Sequence, residues 1–196
     1  MAAMQLTGTV TPDRPLLVLA VAEEAAYLDG ELPVLLTGIG KVNAALALAT
    51  VLATGPRPSE VINLGTAGAL RPGLAGRTHV IGTVLQHDLD DRVLALLTGH
   101  SYGDPITLAA DGPTLATGDL FVSDPVAREQ LAARAHLVDM EGYALAAAAQ
   151  LAGVPIRLVK HVSDEAGEGA AKAWRESVDD CAKVLAAWLA EDRGTA

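Results

Sequence analysis

Residues 136–164, HLVDMEGYALAAAAQLAGVPIRLVKHVSD, decide the fold. Residues 136–140 read as a short strand and 141–152 as a helix rich in Ala and Leu. Residues 154–162 form a longer apolar strand that runs into Ser163-Asp164. The same alternation extends outward from this unit. Residues 15–22 read as a buried strand, and 32–36 as a second apolar run closed by Thr37-Gly38-Ile39-Gly40. Residues 41–52 carry Ala, Leu and Val as a helix pressed on a sheet does, and Gly55-Pro56-Arg57-Pro58 ends it. Residues 60–64 form a short strand terminating in Gly65-Thr66-Ala67-Gly68, and 78–85 the next one. Residues 88–114 are polar and Gly/Pro-punctuated, mostly loop with one short helix. Residues 114–117 form another strand. Asp124 caps a helix running to about Arg134 with Pro125 at its first position, and a final amphipathic helix covers 170–190.

Strands alternating with helices predict a three-layer αβα fold with a mixed, mainly parallel central sheet. The reading is one domain over 1–196, with residues 1–12 and 193–196 expected to lack order. In such sheets ligands gather at the carboxyl ends of strands.

Composition narrows the function. The chain has 196 residues, 51% of them hydrophobic and only 3% aromatic, which favours helices on a buried parallel sheet over an all-β fold. Its formal charge of −10, without any Lys/Arg cluster, argues against nucleic acid as a partner. The apolar run 15–22 is too short to span a bilayer, and no basic segment precedes a signal-type apolar core, so no membrane role is expected. A lone cysteine, Cys181, excludes an internal disulfide and thiolate metal sites, and fits a reducing cytoplasm.

Glu24, Glu141 and Asp164 each follow a strand-like run by one to four residues. One loop carboxylate is ordinarily a solvated cap; three on one sheet edge make a candidate site. Gly38-Ile39-Gly40 could open a dinucleotide fingerprint, but Asn43 stands where the third glycine belongs and only Glu60 lies near the acidic position. His87-Asp88-Leu89-Asp90-Asp91 reads as a solvated acidic loop, because no second histidine has ligand spacing. No metal or cofactor is expected. No Gly-x-Ser-x-Gly elbow occurs, and Cys181 sits mid-helix, which argues against a serine or thiol nucleophile.

Five segments in order carry a resemblance. They are Thr37-Gly38-Ile39-Gly40-Lys41-Val42, Ile62-Asn63-Leu64-Gly65-Thr66-Ala67-Gly68, Thr117-Gly118-Asp119-Leu120-Phe121, Asp139-Met140-Glu141 and Ser163-Asp164. Together they resemble the signature of the purine nucleoside phosphorylase/nucleosidase superfamily, and within it the methylthioadenosine/S-adenosylhomocysteine nucleosidases. The resemblance implies that Glu24 activates the attacking water, that Met140 and Glu141 hold the ribose, and that Asp164 protonates N7 of the purine with Ser163 orienting it. It implies that Phe121 stacks on the base, that Val21, Ile39 and Trp174 line the pocket for the 5′ substituent, and that Thr66 stands where the family has Ser. Ala67, Gly68 and Asp139 belong to the same motifs; Asp139 replaces the usual Glu. A homodimer binding a small-molecule nucleoside is the implied assembly.

The chemistry fits these residue types. A purine leaves poorly as an anion, so protonating N7 lowers the barrier, and a positioned acid contributes roughly 10²–10⁴-fold. Such an acid must hold a proton near neutral pH through burial or a nearby carboxylate. A carboxylate beside the ribose stabilises the oxocarbenium-like transition state. A phosphate nucleophile needs arginine or several amide donors; Asn63 stands where phosphorylases of the superfamily have Arg, so water is the expected nucleophile. The chain is shorter than the relatives it resembles, both between Glu24 and Pro33 and across 88–114. The Met140-Glu141-Gly142-Tyr143 run also resembles futalosine hydrolases, although those relatives tend to carry Asn at the Asp164 position. Futalosine or aminodeoxyfutalosine hydrolysis, phosphate-dependent phosphorolysis and simple nucleoside binding are the alternatives.

Overall fold

The computed structural model describes residues 4–194. In chain order the elements begin β1 (Gln5–Thr7), β2 (Leu16–Leu19), β3 (Val34–Leu36), α1 (Lys41–Thr54), β4 (Val61–Ala69), β5 (Thr78–Val80), β6 (Thr83–Gln86) and α2 (Asp91–Thr98). They continue β7 (Ile106–Thr107), β8 (Thr114–Thr117), α3 (Pro125–Ala132), β9 (Leu137–Asp139), α4 (Gly142–Ala152), β10 (Ile156–Asp164) and α5 (Ala170–Gly194).

The layers follow from the pleat. All four residues of β2 are buried. Leu16 and Val18 pack with Ala44, Leu48 and Val51 of α1 and Leu145 and Ala149 of α4. Leu17 and Leu19 point the other way, toward Leu185 and Leu189 of α5. A strand that is apolar at every position needs cover on both faces, and the αβα arrangement supplies it.

The sheet runs β1-β3-β2-β4-β9-β8-β6-β7, with β10 on β4 and β5 on β10. It is mixed and mainly parallel. Antiparallel pairs occur at β1–β3, β4–β9, β5–β10 and β6–β7. Strand β4 is the pivot. Strand β10 follows it in parallel from Val61 to Gly68, occupying one edge. The other edge pairs with β2 at Val61–Asn63 and with β9 only at Gly68 and Ala69. Between these pairings the sheet opens, and the main chain around Thr66 must find other partners there.

The structure departs from the sequence reading in four places, the first being that Arg193 and Gly194, expected to lack order, belong to α5. Residues 5–7 form β1, an edge strand paired with β3 in register Gln5–Leu36, where disorder was expected; residues 1–3 and 195–196 lie outside the described residues. The strand expected to stop at Leu64 continues to Ala69, because β10 pairs with it throughout. The strand expected over 78–85 is two: β5 joins β10, and β6 joins β8. Gly82 marks the break; a Cβ there would lie 2.6 Å from the Asp111 carbonyl oxygen, so only glycine lets the chains pass.

Candidate active site

The opened edge of β4 holds a cavity of about 310 Å³. Its walls come from the carboxyl ends of β2, β4, β9 and β10, from the loop after β8, and from the first turns of α5.

Glu24 sits on the turn that follows β2. Its neighbour Glu23 is exposed, whereas Glu24 is only 4% exposed. Its Oε1 accepts the Thr66 main-chain N–H at 2.8 Å and the Thr66 hydroxyl at 2.9 Å, which answers the unpaired edge of β4. The Thr66 hydroxyl in turn accepts the Trp174 Nε1–H at 2.9 Å. The second oxygen of Glu24, Oε2, is buried without a protein partner. A buried carboxylate oxygen left open in a cavity is a ready acceptor for water or substrate.

Across the cavity, β9 ends at Asp139 and α4 begins after Glu141. Asp139 is fully engaged by protein. It accepts the Thr117 hydroxyl at 2.6 Å and the Gly142 N–H at 2.8 Å, and its Oδ2 lies 2.9 Å from Lys160 Nζ. Lys160 is 1% exposed. Burial alone pulls its ammonium down, but the carboxylates of Asp139, Glu141 and Glu24 outweigh that and hold it above the usual lysine value. Glu141 Oε1 accepts the Gly40 N–H at 2.8 Å. Burial, reinforced by the Asp139 carboxylate, pushes Glu141 up to about 8 against the pull of Lys160 and the Gly40 N–H. At neutral pH Glu141 is therefore mostly a neutral carboxyl, able both to donate and to accept hydrogen bonds.

Asp164 ends β10. Its Oδ1 accepts the Ala166 N–H at 2.8 Å and its Oδ2 the Ser163 hydroxyl at 2.8 Å. Ala166 adopts φ 47°, a left-handed conformation unusual outside glycine, and so turns its N–H back onto the carboxylate. Gly68 makes the approach possible: a Cβ there would meet Ala166 Cβ at 2.9 Å and Asp164 Oδ1 at 3.2 Å.

Phe121 stands on the loop after β8, which a polar cluster ties to the start of α1. The Lys41 ammonium contacts Asp88 Oδ1 at 2.5 Å and Gln86 Oε1 at 2.8 Å. Asp88 Oδ2 accepts the Asp119 N–H at 2.9 Å, and Asp119 Oδ1 accepts the Lys41 N–H at 2.8 Å. The α1 N-terminus thus offers adjacent amides to two carboxylates, Glu141 and Asp119.

A family model described as the phosphorylase superfamily matches residues 23–112 and 110–191. The chain belongs to the phosphorylase superfamily. Over 167 residues it is 35% identical to a 5′-methylthioadenosine/S-adenosylhomocysteine nucleosidase of Bacillus pumilus, covering 72% of this chain and 71% of that protein. Among solved structures of this fold, the Streptococcus pneumoniae MTA/SAH nucleosidase in complex with 8-aminoadenine matches with TM-score 0.75 and 25% identity, covering 90% of this chain and 96% of that one. A futalosine hydrolase mutant of Helicobacter pylori matches with TM-score 0.79 and 23% identity over 90% of this chain and 96% of that one.

The fold brings every candidate catalytic and substrate-binding residue named from the sequence to one cavity. Glu24, Glu141 and Asp164 line it, as do Val21, Ile39, Thr66, Ala67, Gly68, Phe121, Asp139, Met140, Ser163 and Trp174. Asn63 does not; its side-chain amide donates to the Val18 carbonyl at 2.9 Å within the sheet. Sequence reasoning missed Lys160, whose signal was a charge inside the otherwise apolar run 154–162. It also missed Arg175, one residue past Trp174, and the tie between Lys41 and Asp88, a residue exposed as expected.

Proposed function

We propose that the chain hydrolyses the N-glycosidic bond of an adenine-type nucleoside, with methylthioadenosine or S-adenosylhomocysteine as substrate. One observation carries the choice of water over phosphate. The amide and hydroxyl of Thr66, donors that an anionic nucleophile would need, are filled by the chain's own Glu24 carboxylate, whose Oε2 remains open. A phosphate placed there would meet the Glu24 carboxylate rather than a cation. The single guanidinium among the lining residues, Arg175, belongs to an exposed position.

The steps follow from the geometry. Water held by Glu24 Oε2 loses its proton to that carboxylate as its oxygen attacks C1′. Glu141 binds the ribose hydroxyls as a neutral carboxyl, and the Asp139 carboxylate behind it stabilises the positive charge growing on the sugar. Asp164 passes a proton to N7 as the C1′–N9 bond breaks, so the base leaves neutral. Phe121 stacks on the base, and Val21, Ile39 and Trp174 border the 5′ group. A cytoplasmic location fits the lone, buried Cys181.

We also infer a homodimer. Val42 and Leu46, one turn apart on α1, are 66% and 64% exposed, and Leu120, Phe121 and Val126 leave further apolar surface uncovered beside the cavity mouth. Sedimentation at micromolar protein should give twice the chain mass; a monomer overturns the inference. For the reaction, the purified protein is incubated without phosphate with methylthioadenosine, S-adenosylhomocysteine, inosine and aminodeoxyfutalosine. Adenine release from the first two supports the reading. Base release confined to inosine or aminodeoxyfutalosine refutes it.

A further inference from the structure

Arg175 is the one lysine or arginine among the residues lining the cavity; the other charged ones are Glu24, Asp139, Glu141 and Asp164. Among the described residues it has no hydrogen bond or ion pair. Its acidic neighbours on α5 are engaged elsewhere: Glu176 lies 3.7 Å from Lys172, and Asp179 and Asp180 lie 2.7 and 2.9 Å from Lys183. Helical spacing places Ala171, Trp174 and Arg175 on one face of α5, turned to the cavity. The Trp174–Thr66 hydrogen bond, with Thr66 on Glu24, ties that turn of the helix to the Glu24 side of the cavity. A nucleoside with its base against Asp164 and its ribose between Glu24 and Glu141 directs its 5′ carbon toward this wall.

We propose that Arg175 is a specificity-determining residue that favours nucleosides whose 5′ substituent ends in a carboxylate over those with a neutral alkylthio group. The inference rests on the nucleosidase reading above. In a chain of formal charge −10, an acidic tail is repelled unless a cation receives it. A guanidinium does so with two parallel N–H donors, a geometry that matches a carboxylate.

The test uses two adenine nucleosides of matched length, 5′-(3-carboxypropyl)thio-5′-deoxyadenosine and 5′-butylthio-5′-deoxyadenosine. The readout is the ratio of their kcat/KM values for adenine release. Because the pair is partly solvated, Arg175→Gln should lower the acid-to-neutral ratio about fivefold, and Arg175→Glu further. Arg175→Lys should retain part of the preference, and about 0.5 M salt should shrink the wild-type ratio toward that of Arg175→Gln. The same ratio in wild type, Arg175→Gln and Arg175→Glu overturns the proposal. In the absence of turnover, calorimetric binding of the two nucleosides gives the corresponding affinity ratio. If neither releases adenine, the hydrolase reading fails, while the binding ratio still decides the role of Arg175.

Discussion

Replacing Glu141 by Gln should stabilise the protein at alkaline pH while removing activity. The folded state holds the Glu141 proton up to about 8, against an ordinary value of 4.5. A carboxyl whose value is raised by folding contributes stability that is fully present below 4.5 and is lost as pH rises through about 8. The full loss spans about 3.5 pH units, which at about 1.4 kcal/mol each is about 5 kcal/mol. Gln cannot ionise, and its carbonyl oxygen can still accept the Gly40 N–H. The stability difference between variant and wild type should therefore widen by about 3 kcal/mol between pH 6 and pH 9, the part of the titration inside that window. Urea denaturation of both proteins at several pH values measures it. Parallel stability curves across that range would refute the account of Glu141 as a buried, proton-holding carboxyl.

Other outcomes follow from the same geometry. Lys160→Met strands the buried Asp139 carboxylate and should cost about 3–5 kcal/mol, read by denaturation. In whatever folded fraction remains, the loss of that positive charge should move the Glu141 titration to higher pH. Lys41→Met removes the cation that ties Asp88, and through it the Phe121 loop, to α1; KM should rise on the order of tenfold with a smaller change in kcat, whereas an unchanged KM would remove the cluster from substrate binding. Asp164→Asn should lower kcat by about 10²-fold or more with the melting temperature close to wild type, and activity within tenfold would sink the acid assignment. Gly118→Ala would put a Cβ into the His87 ring and should destabilise by about 1–3 kcal/mol, measured by thermal unfolding.

Much of this was legible in the chain because its signals are local. The apolar run of β2, the Ala-rich face of α1, and the α4–β10 unit each declare themselves by periodicity, and the carboxylates stand just past strand ends where such folds bind ligands. What sequence could not show is set by pairing at a distance. Strand β1 exists because β3 offers an edge, β4 runs on past its glycines because β10 follows it, and residues 78–86 divide because two different strands claim them. Lys160 escaped notice because one charge scarcely interrupts an apolar run, although its burial against Asp139 organises the end of β9 at the cavity. The ion pair of Asp88 with Lys41 could not be seen because the two lie 47 positions apart and meet only when the chain folds.

The most direct test of hydrolysis uses methylthioadenosine in ¹⁸O-water containing millimolar phosphate, with the sugar product examined by mass spectrometry before anomeric exchange. The account predicts one ¹⁸O at C1′ of the released methylthioribose, at a rate indifferent to phosphate. Formation of methylthioribose 1-phosphate without ¹⁸O at C1′ would contradict it, and would mean that phosphate displaces the water held at Glu24.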